Sequence, residues 1–462
     1  MRLAWFSPWP PQPSGVAGRS AELVPALAAR GHGIDVFVDE ARVPLATPSR
    51  AISAEPPPPS TVRLQSAHDF VWRAERHQYD LVVYQVGNSQ AHEFLWPYLL
   101  RWPGLAVMHD VRIHHARGRA LMLSRRAPAY RAEFAWSHPD VARDAAELGV
   151  AGFDGAYYYL WPMTGAVVAA SRYVAVHSRG GADQLRADFP DRAPSEIEYV
   201  PLGEGRDTAL SPTERRAARA ALGLSPSAVV FGVFGALTPE KRLAQILRAF
   251  ATTLSRQPEA RLLLAGTAGP RSPWPALMSQ LGISAAVTVH EALDDDEFDR
   301  AIAAVDVSLH LRWPTALETS GPWLRALAAG RPTIVTDLAH QSHVPALDPR
   351  TWQPMSARVH GEHHAPITVA VDLLDEDHSL GLAMRRLASD DTLRHTLGQA
   401  GRRYWEREHS VARMVEAYDA LLERAAATPL PTAVLPEPIV SRPDAHMRAL
   451  LSPFGNLSCE LF

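Results

Sequence analysis

Short apolar runs alternate with helix-length stretches along the chain, and the alternation occurs twice. In the first series Arg2–Ser7, Ile34–Val38, Leu81–Gln85, Leu105–Met108 and Tyr173–His177 read as strands. Gly18–Gly31 reads as a helix with Leu23, Leu27 and Ala28 on one face, and Ala46–Ser60 as a loop. The pattern breaks around Pro201–Pro212 and restarts. Strands are then expected at Val229–Gly235, Arg261–Gly266, Val287–His290, Val307–Leu311 and Thr333–Thr336, with helices at Leu243–Ser255, Asp295–Ala304 and Pro322–Gly330. Strands this short, separated by helices, form mostly parallel sheets, because a parallel pair needs a long crossover. The reading is an α/β chain of two similar domains, 1–205 and 206–400. Asp377–Ala427 reads as helical, with Trp405, Met414 and Tyr418 as apolar anchors. Thr428–Phe462 holds six prolines and reads as an extended arm on the surface or a disordered tail, with an apolar patch at Met447–Leu451.

Composition removes several alternatives. Cys459 is the single cysteine, which excludes an intramolecular disulfide framework and a multi-cysteine zinc site and fits a reducing, cytoplasmic compartment. A formal net charge of −4 argues against a nucleic-acid partner. Met1–Pro8 is broken too early by proline to read as a signal peptide, and the Asn456-Leu457-Ser458 sequon carries no weight without a secretory route. Residues 155–171 carry no charge, but Pro162, Gly165 and three tyrosines favour a buried helix leading into a strand over a membrane span. Lys241 is the only lysine among 46 basic residues. Where any surface cation suffices this chain uses arginine, so the surviving lysine marks a place that needs a compact ammonium.

Four segments could carry chemistry. Arg312–Pro332 joins a strand end to a helix start, and Thr319, Ser320 and Gly321 there would aim free N–H groups outward, with Pro322 near the first helical position. Such a helix start binds anions, while Glu318 beside it suits a sugar or ribose hydroxyl. In Phe231–Arg242, Lys241 is expected in the first turn of the next helix, against the helix dipole, which points to a bound diphosphate. In Ser7–Arg19, Gly15 and Gly18 would let a ligand approach the backbone. In Val107–His115, His109 and Asp110 follow a strand end, the usual position for site residues in open α/β sheets. Asn88 and His92 follow another strand end and are expected in the same cleft. His114 and His115 are adjacent and would face different ways, and Asp294–Asp296 is expected to cap a helix.

These segments, in this order, resemble the family 4 glycosyltransferases, retaining enzymes of the GT-B, group 1 type. The Gly15–Gly18 loop resembles that family's acceptor-side loop, Leu237–Arg242 its phosphate-binding lysine motif, and Pro314–Pro332 its nucleotide-sugar motif, while His109 matches its strand-end histidine. The resemblance implies two Rossmann-like domains facing across a cleft, with the donor on the second and the acceptor on the first. It also implies a helix crossing back to the first domain (401–427, centred on Arg403–Leu421), and no metal or cofactor. Two positions depart from the family pattern. Ala236 stands where many relatives carry arginine, and Arg325 where they carry a second glutamate, at a spacing one residue shorter.

The resemblance implies sugar transfer from a nucleoside-diphosphate sugar to a hydroxyl acceptor: a glycan, a lipid-linked sugar or a small molecule. His109, Lys241 and Glu318 would be catalytic, Gly15, Arg242, Arg312, Thr319, Ser320, Gly321 and Arg325 donor-binding, and Gly18, Asn88, His92 and Asp110 on the acceptor side. Peripheral membrane contact is left open. The alternatives are a nucleotide-sugar epimerase and a non-catalytic nucleotide-sugar or glycan binder on the same fold.

Overall fold

The computed structural model describes residues 1–45, 58–76, 79–153, 155–204, 210–269, 272–291, 293–355, 365–436 and 439. Cys459, the sequon, Met447–Leu451 and most of the Ala46–Ser60 loop lie outside them. The first sheet comprises β1 (Arg2–Phe6), β2 (Gly33–Val38), β3 (Thr61–Ser66), β4 (Leu81–Val86), β5 (Leu105–Met108), β6 (Tyr173–Val176) and β7 (Ile197–Tyr199). Its strands lie in the order β3-β2-β1-β4-β5-β6-β7, all parallel. The second comprises β8 (Val230–Phe234), β9 (Arg261–Ala265), β10 (Val287–His290), β11 (Val307–His310), β12 (Thr333–Thr336), β13 (Ala346–Leu347) and β14 (Thr368–Val371). Its order is β10-β9-β8-β11-β12-β14-β13, again all parallel. In each sheet the strand order reverses beside the first strand, between β1 and β4 and between β8 and β11. Ligands of open α/β sheets bind outside the carboxyl ends of the strands at such a reversal.

Alternation along β1 shows why the strands need cover on both sides. Ala4 and Phe6 enter an aromatic layer in which Phe6 stacks on Phe37 at 5.1 Å and meets Phe70 edge-on at 4.8 Å. Leu3 and Trp5 face the other way, onto Leu23 and Leu27 of the helix Gly15–Ala29 and onto Met414, Tyr418 and Leu422. Those last three belong to the final helix, Val411–Ala427, so the chain's end completes the first domain's core.

The chain passes between domains at two places, which are bonded to each other. Trp405 Nε1 donates to the Glu204 carbonyl at 2.6 Å, His409 Nδ1 meets the Leu202 carbonyl at 3.0 Å, and the Glu204 N–H donates to the His409 carbonyl at 3.2 Å. The helix Asp391–Glu408 packs on the second domain, so the expected boundary at 400 falls inside it and the return begins at His409. Part of the Pro201–Pro212 break lies outside the described residues. The described part of the arm follows the first domain: Arg172 donates to the Ala426 and Thr428 carbonyls, and Ile439 is buried.

Several local expectations change. The first helix starts at Gly15, three residues before the expected Gly18, because Ser14 Oγ accepts the Val16 N–H at 3.2 Å and caps it there. The uncharged stretch 155–171 is not one helix: Tyr157–Leu160 and Gly165–Ala170 are separate, broken at Pro162 and at Met163, which sits at φ 50°. No helix among the described residues is long and apolar enough to cross a membrane. The strands β3, β7, β13 and β14 were not expected; β3 reads TVRLQS, whose mixed polarity suits a half-exposed edge.

Tyr418 is fully buried against Trp5, ring centroids 6.1 Å apart. Tyr418→Ala is expected to destabilise the chain by about 3–5 kcal/mol, the usual cost of emptying a large aromatic site. Urea unfolding of the variant and the parent measures it.

Candidate functional site between the two sheets

The carboxyl edges of the two sheets face each other, and the loop after β11 closes the gap. The Ala316 carbonyl accepts the N–H groups of Val111 and Arg112 at 2.8 and 3.0 Å. Leu317, at φ 61°, packs into the first domain's aromatic layer. Thr319 Oγ1 donates to the His177 carbonyl at 2.7 Å. The segment expected to hold a donor therefore also docks one domain on the other.

Lys241 lies behind this loop, beside Arg312 and Glu318, and not in the first turn of the next helix. Pro239–Lys241 is a single tight turn, Arg242 takes φ 57°, and the helix Leu243–Leu254 starts only after it. Lys241 Nζ turns back to donate to the Phe234 carbonyl at the end of β8. Gly235, at φ 82°, makes room, since a Cβ there would stand 2.8 Å from Nζ. Burial, then the charge of Arg312, lowers the ammonium to about 7, partly offset by Glu318. Arg242 leaves the site: its guanidinium grips the Glu376 carboxylate at 2.9–3.0 Å, so the donor contact expected of it is not available.

Glu318 is occupied within its own loop. Oε1 pairs with Arg312 Nε at 2.7 Å, and Oε2 accepts from Thr315 Oγ1 at 2.9 Å and the Ala316 N–H at 2.8 Å. Ser320 caps the helix Gly321–Ala328, accepting the Trp323 N–H at 3.4 Å, with Pro322 in the first turn. The cavity enclosed by Lys241, His310, Arg312, Glu318, Ser320 and His340 holds only about 20 Å³, room for a water-sized group.

On the first domain, His109 and Asp110 follow β5 as expected. His109 Nε2 bonds Gln85 Oε1 at 2.7 Å, and its ring centroid lies 4.7 Å from that of His177. Because an amide oxygen accepts, Nε2 carries the hydrogen and Nδ1 is left as an acceptor. Burial and the neighbouring His177 and Arg19 hold His109 well below the ordinary histidine value, so its ring is neutral. Asp110 Oδ2 accepts the Asn88 N–H at 2.7 Å. Burial and facing Glu318 push its carboxyl upward, against the Asn88 bond and Arg312. Tyr159 joins this group from the helix Tyr157–Leu160, its phenol pushed up to about 12 by burial and by Glu240 and Glu318.

Asn88 and His92 do not point into the cleft as ligand-binding groups. Asn88 Oδ1 accepts the Ala116 N–H at 2.8 Å, and buried His92 holds the Gln85 carbonyl at 2.7 Å. His92 is lowered to about 4 by burial and packs under Gly87. His114 faces inward to Tyr130 Oη at 2.9 Å, while His115 is exposed. Asp294 caps its helix in a reciprocal pair with Glu297 at 2.8 and 3.0 Å. No cluster of three metal-ligating side chains occurs among the described residues.

A larger cavity, about 610 Å³, opens beside the small one. Gly15, Gly18, Ala236 and Arg325 line it. Gly15 and Gly18 lie in the helix's first turns, and a Cβ on either would meet nothing within 4 Å, so both open onto free space. Its wall carries an ion-pair chain that the sequence did not indicate. Arg19 donates to Glu204, whose other oxygen accepts Arg325 Nε at 2.7 Å, and Arg325 also reaches Asp299 at 3.1 Å and Asp295 at 3.4 Å. Burial would raise Glu204, but the Arg19 and Arg325 charges outweigh it and hold the carboxyl below its usual range. Gly321 packs against this pair: a Cβ there would stand 3.5 Å from the Glu204 carboxyl carbon.

Two parallel seven-stranded α/β domains, facing through their strand ends and closed by a returning helix, define a GT-B fold. The comparisons agree. Residues 228–347 match the family model described as glycosyl transferases group 1. D-inositol 3-phosphate glycosyltransferase of Rhodococcus jostii (strain RHA1) is 32% identical over 180 residues, 37% of this chain and 39% of that one. Its counterpart in Mycolicibacterium gilvum (strain PYR-GCK) is 28% identical over 266 residues, 52% of this chain and 58% of that one. The chain thus spans about two-fifths of the length of the first curated relatives it matches. Among solved structures, Anabaena Alr3699/HepE in complex with UDP-glucose superposes with a TM-score of 0.61 at 13% identity, covering 91% of this chain and 99% of that one. WaaG, a glycosyltransferase involved in lipopolysaccharide biosynthesis, gives 0.56 at 17% identity, covering 90% and 99%. The resemblance to group 1 glycosyltransferases is borne out by sequence over residues 228–347, and the expected two-domain GT-B fold by the likeness across both domains.

Between a folded value of about 7 and the ordinary lysine value of 10.5, folded Lys241 releases its proton while the unfolded chain keeps it. The unfolded state then binds more protons, so this group makes stability rise with pH across that window. Urea unfolding at several pH values is expected to show that rise in the parent and a flatter profile in Lys241→Met. Equal profiles would mean that Lys241 is solvated.

Proposed function

We propose that the protein transfers a sugar from a nucleoside-diphosphate sugar to a hydroxyl acceptor, with retention and without a metal. The observation that carries this reading is the meeting of Lys241 and the helix start at Ser320–Gly321 at one strand-order reversal, opposite the open Gly15–Gly18 turn of the other domain. A leaving diphosphate gathers negative charge as the glycosidic bond breaks. A buried ammonium and aligned N–H groups at a helix start stabilise that charge without reorganising. A dianion beside Lys241 would also reverse the burial that lowers it and recharge the ammonium as it binds.

The other roles follow from placement. The nucleoside fits the larger cavity, where Arg325 and Glu204 stand, and Gly15 and Gly18 admit it to the backbone. Arg312 supplies the second positive charge, and Ala236 leaves space where relatives carry arginine. Glu318, once released by Arg312, accepts from sugar hydroxyls, and neutral His109 orients the transferring sugar through Nδ1. Asp110, kept protonated toward neutrality by burial and Glu318, can donate to an acceptor oxygen. No protein nucleophile is assigned. HepE was solved with UDP and UDP-glucose, which makes uridine the first base to try. Leu160 and Trp313, the sequence neighbours of Tyr159 and Arg312, are exposed apolar side chains and suit an acceptor with an apolar part, met at a membrane surface.

Thermal unfolding with UDP, GDP, ADP and their sugars tests the reading. One nucleotide class should stabilise the parent, by about 2.7 kcal/mol at 100 times its Kd. Lys241→Ala should lose most of that shift. With the donor so identified, Lys241→Ala is expected to cut turnover at least tenfold; unchanged turnover would remove the lysine from the mechanism.

A further inference from the structure

A second polar cavity, of about 620 Å³, opens on the far edge of the second domain. It lies at the amino ends of β11 and β12, beside Asp306 and Pro332, whereas the proposed donor groups lie at their carboxyl ends. One wall is a single stripe of the helix Asp391–Glu408, because Arg394, His395, Arg402 and Arg403 recur at helical spacing. The opposite wall carries Arg215 and Arg331. The two walls are held together by bare backbone: a Cβ on Gly398 would stand 2.2 Å from the Gly330 carbonyl oxygen.

The carboxylates present do not balance these cations. Asp306 is shared by Arg215 at 2.6 Å, by Arg219 and by the Val230 N–H at 2.7 Å. Asp391 and Glu406 face solvent, each taken by one arginine of its own helix, Arg394 at 2.9 Å and Arg402 at 2.8 Å. Arg331 bonds only main-chain carbonyls among the described residues, those of Ala329 at 3.0 Å and Val305 at 3.5 Å. Burial and the charge of Arg215, partly offset by Asp306, lower its guanidinium to about 10. Exposed Arg403 has no partner among the described residues. The helix Gly321–Ala328 ends here, and its last carbonyls repel anions, but Arg402 caps the Ala328 carbonyl and Arg331 that of Ala329. Arg394 is taken up by Asp391 and by the Leu387 and Ala388 carbonyls, but clustered arginines lining one cavity in excess of its carboxylates form a receptor for a multiply charged oxyanion.

We infer that this cavity binds a small phosphorylated molecule, its phosphoryl group set between Arg331 and Arg403. The site is separate from the donor cleft, and the inference does not rest on the glycosyl-transfer reading. Inorganic pyrophosphate is the probe, titrated calorimetrically at constant ionic strength into Lys241→Ala protein, whose cleft lacks its ammonium. Saturable binding is expected there, weakened at least fivefold by adding Arg331→Gln and at least fivefold by adding Arg403→Gln. Arg403 is exposed, so its variant tests the site even if Arg331→Gln does not fold. Absence of saturable binding in Lys241→Ala, or unchanged affinity in the Arg403→Gln variant, would overturn the inference. Binding seen only with Lys241 present would place pyrophosphate in the cleft, against this site and in favour of the donor reading.

Discussion

The carbonyl oxygen of Ala316, accepting two N–H groups from the other domain, is the joint on which the molecule is organised. Its residue belongs to the ten-residue connection between β11 and the helix that starts at Gly321, a connection that would otherwise serve one domain alone. Because Leu317 packs against the first domain's aromatic layer and Thr319 is bonded to the carbonyl after β6, the position of Glu318 between them depends on how the domains meet. The charge environment of Lys241 depends on it in turn, through Arg312 and Glu318. Domain docking and the electrostatics of the candidate site are one arrangement.

The small cavity around Lys241 has a related cause. The charged groups there have found internal partners, the ammonium a carbonyl and Glu318 a guanidinium, a hydroxyl and an amide, while neither ring nitrogen of buried His340 is bonded. Buried charges stay buried only when so matched. A ligand in this place must exchange those bonds for its own, and a diphosphate can do so because it offers Lys241 and Arg312 more charge than a carbonyl and one carboxylate. The Arg19–Glu204–Arg325 chain poses the same condition at the larger cavity, where the bonds to be exchanged join the two domains.

Much of the fold was legible because a parallel strand covered on both faces is predominantly apolar. β1, β4, β5, β8, β11 and β12 are such strands, and their ends fall within a residue or two of those read from the sequence. The edge strand β3 and the short β7 were not legible, since an edge is half solvated and its pattern resembles a loop. At the site, Lys241 stood out because no other lysine exists to dilute the signal, and His109 and Asp110 because they follow a strand directly. Arg242 was misplaced because its left-handed backbone turns its side chain toward Glu376, 134 residues further on. The Arg19–Glu204 pair spans 185 residues, and nothing local to either residue indicates the other. Short-range pattern gives strand ends; pairings formed by domain docking need the three-dimensional fold.

A chain with 45 guanidiniums and one ε-amine has an unusual chemical profile. Acylating and reductive-alkylating reagents distinguish sharply between the two groups. The only side-chain amine in this protein is pressed against Gly235, beside Arg312 and Glu318. Reductive alkylation of side chains is thereby converted into a report on one place in the molecule. Its rate measures how often the ammonium leaves the Phe234 carbonyl and opens to a reagent at the end of β8.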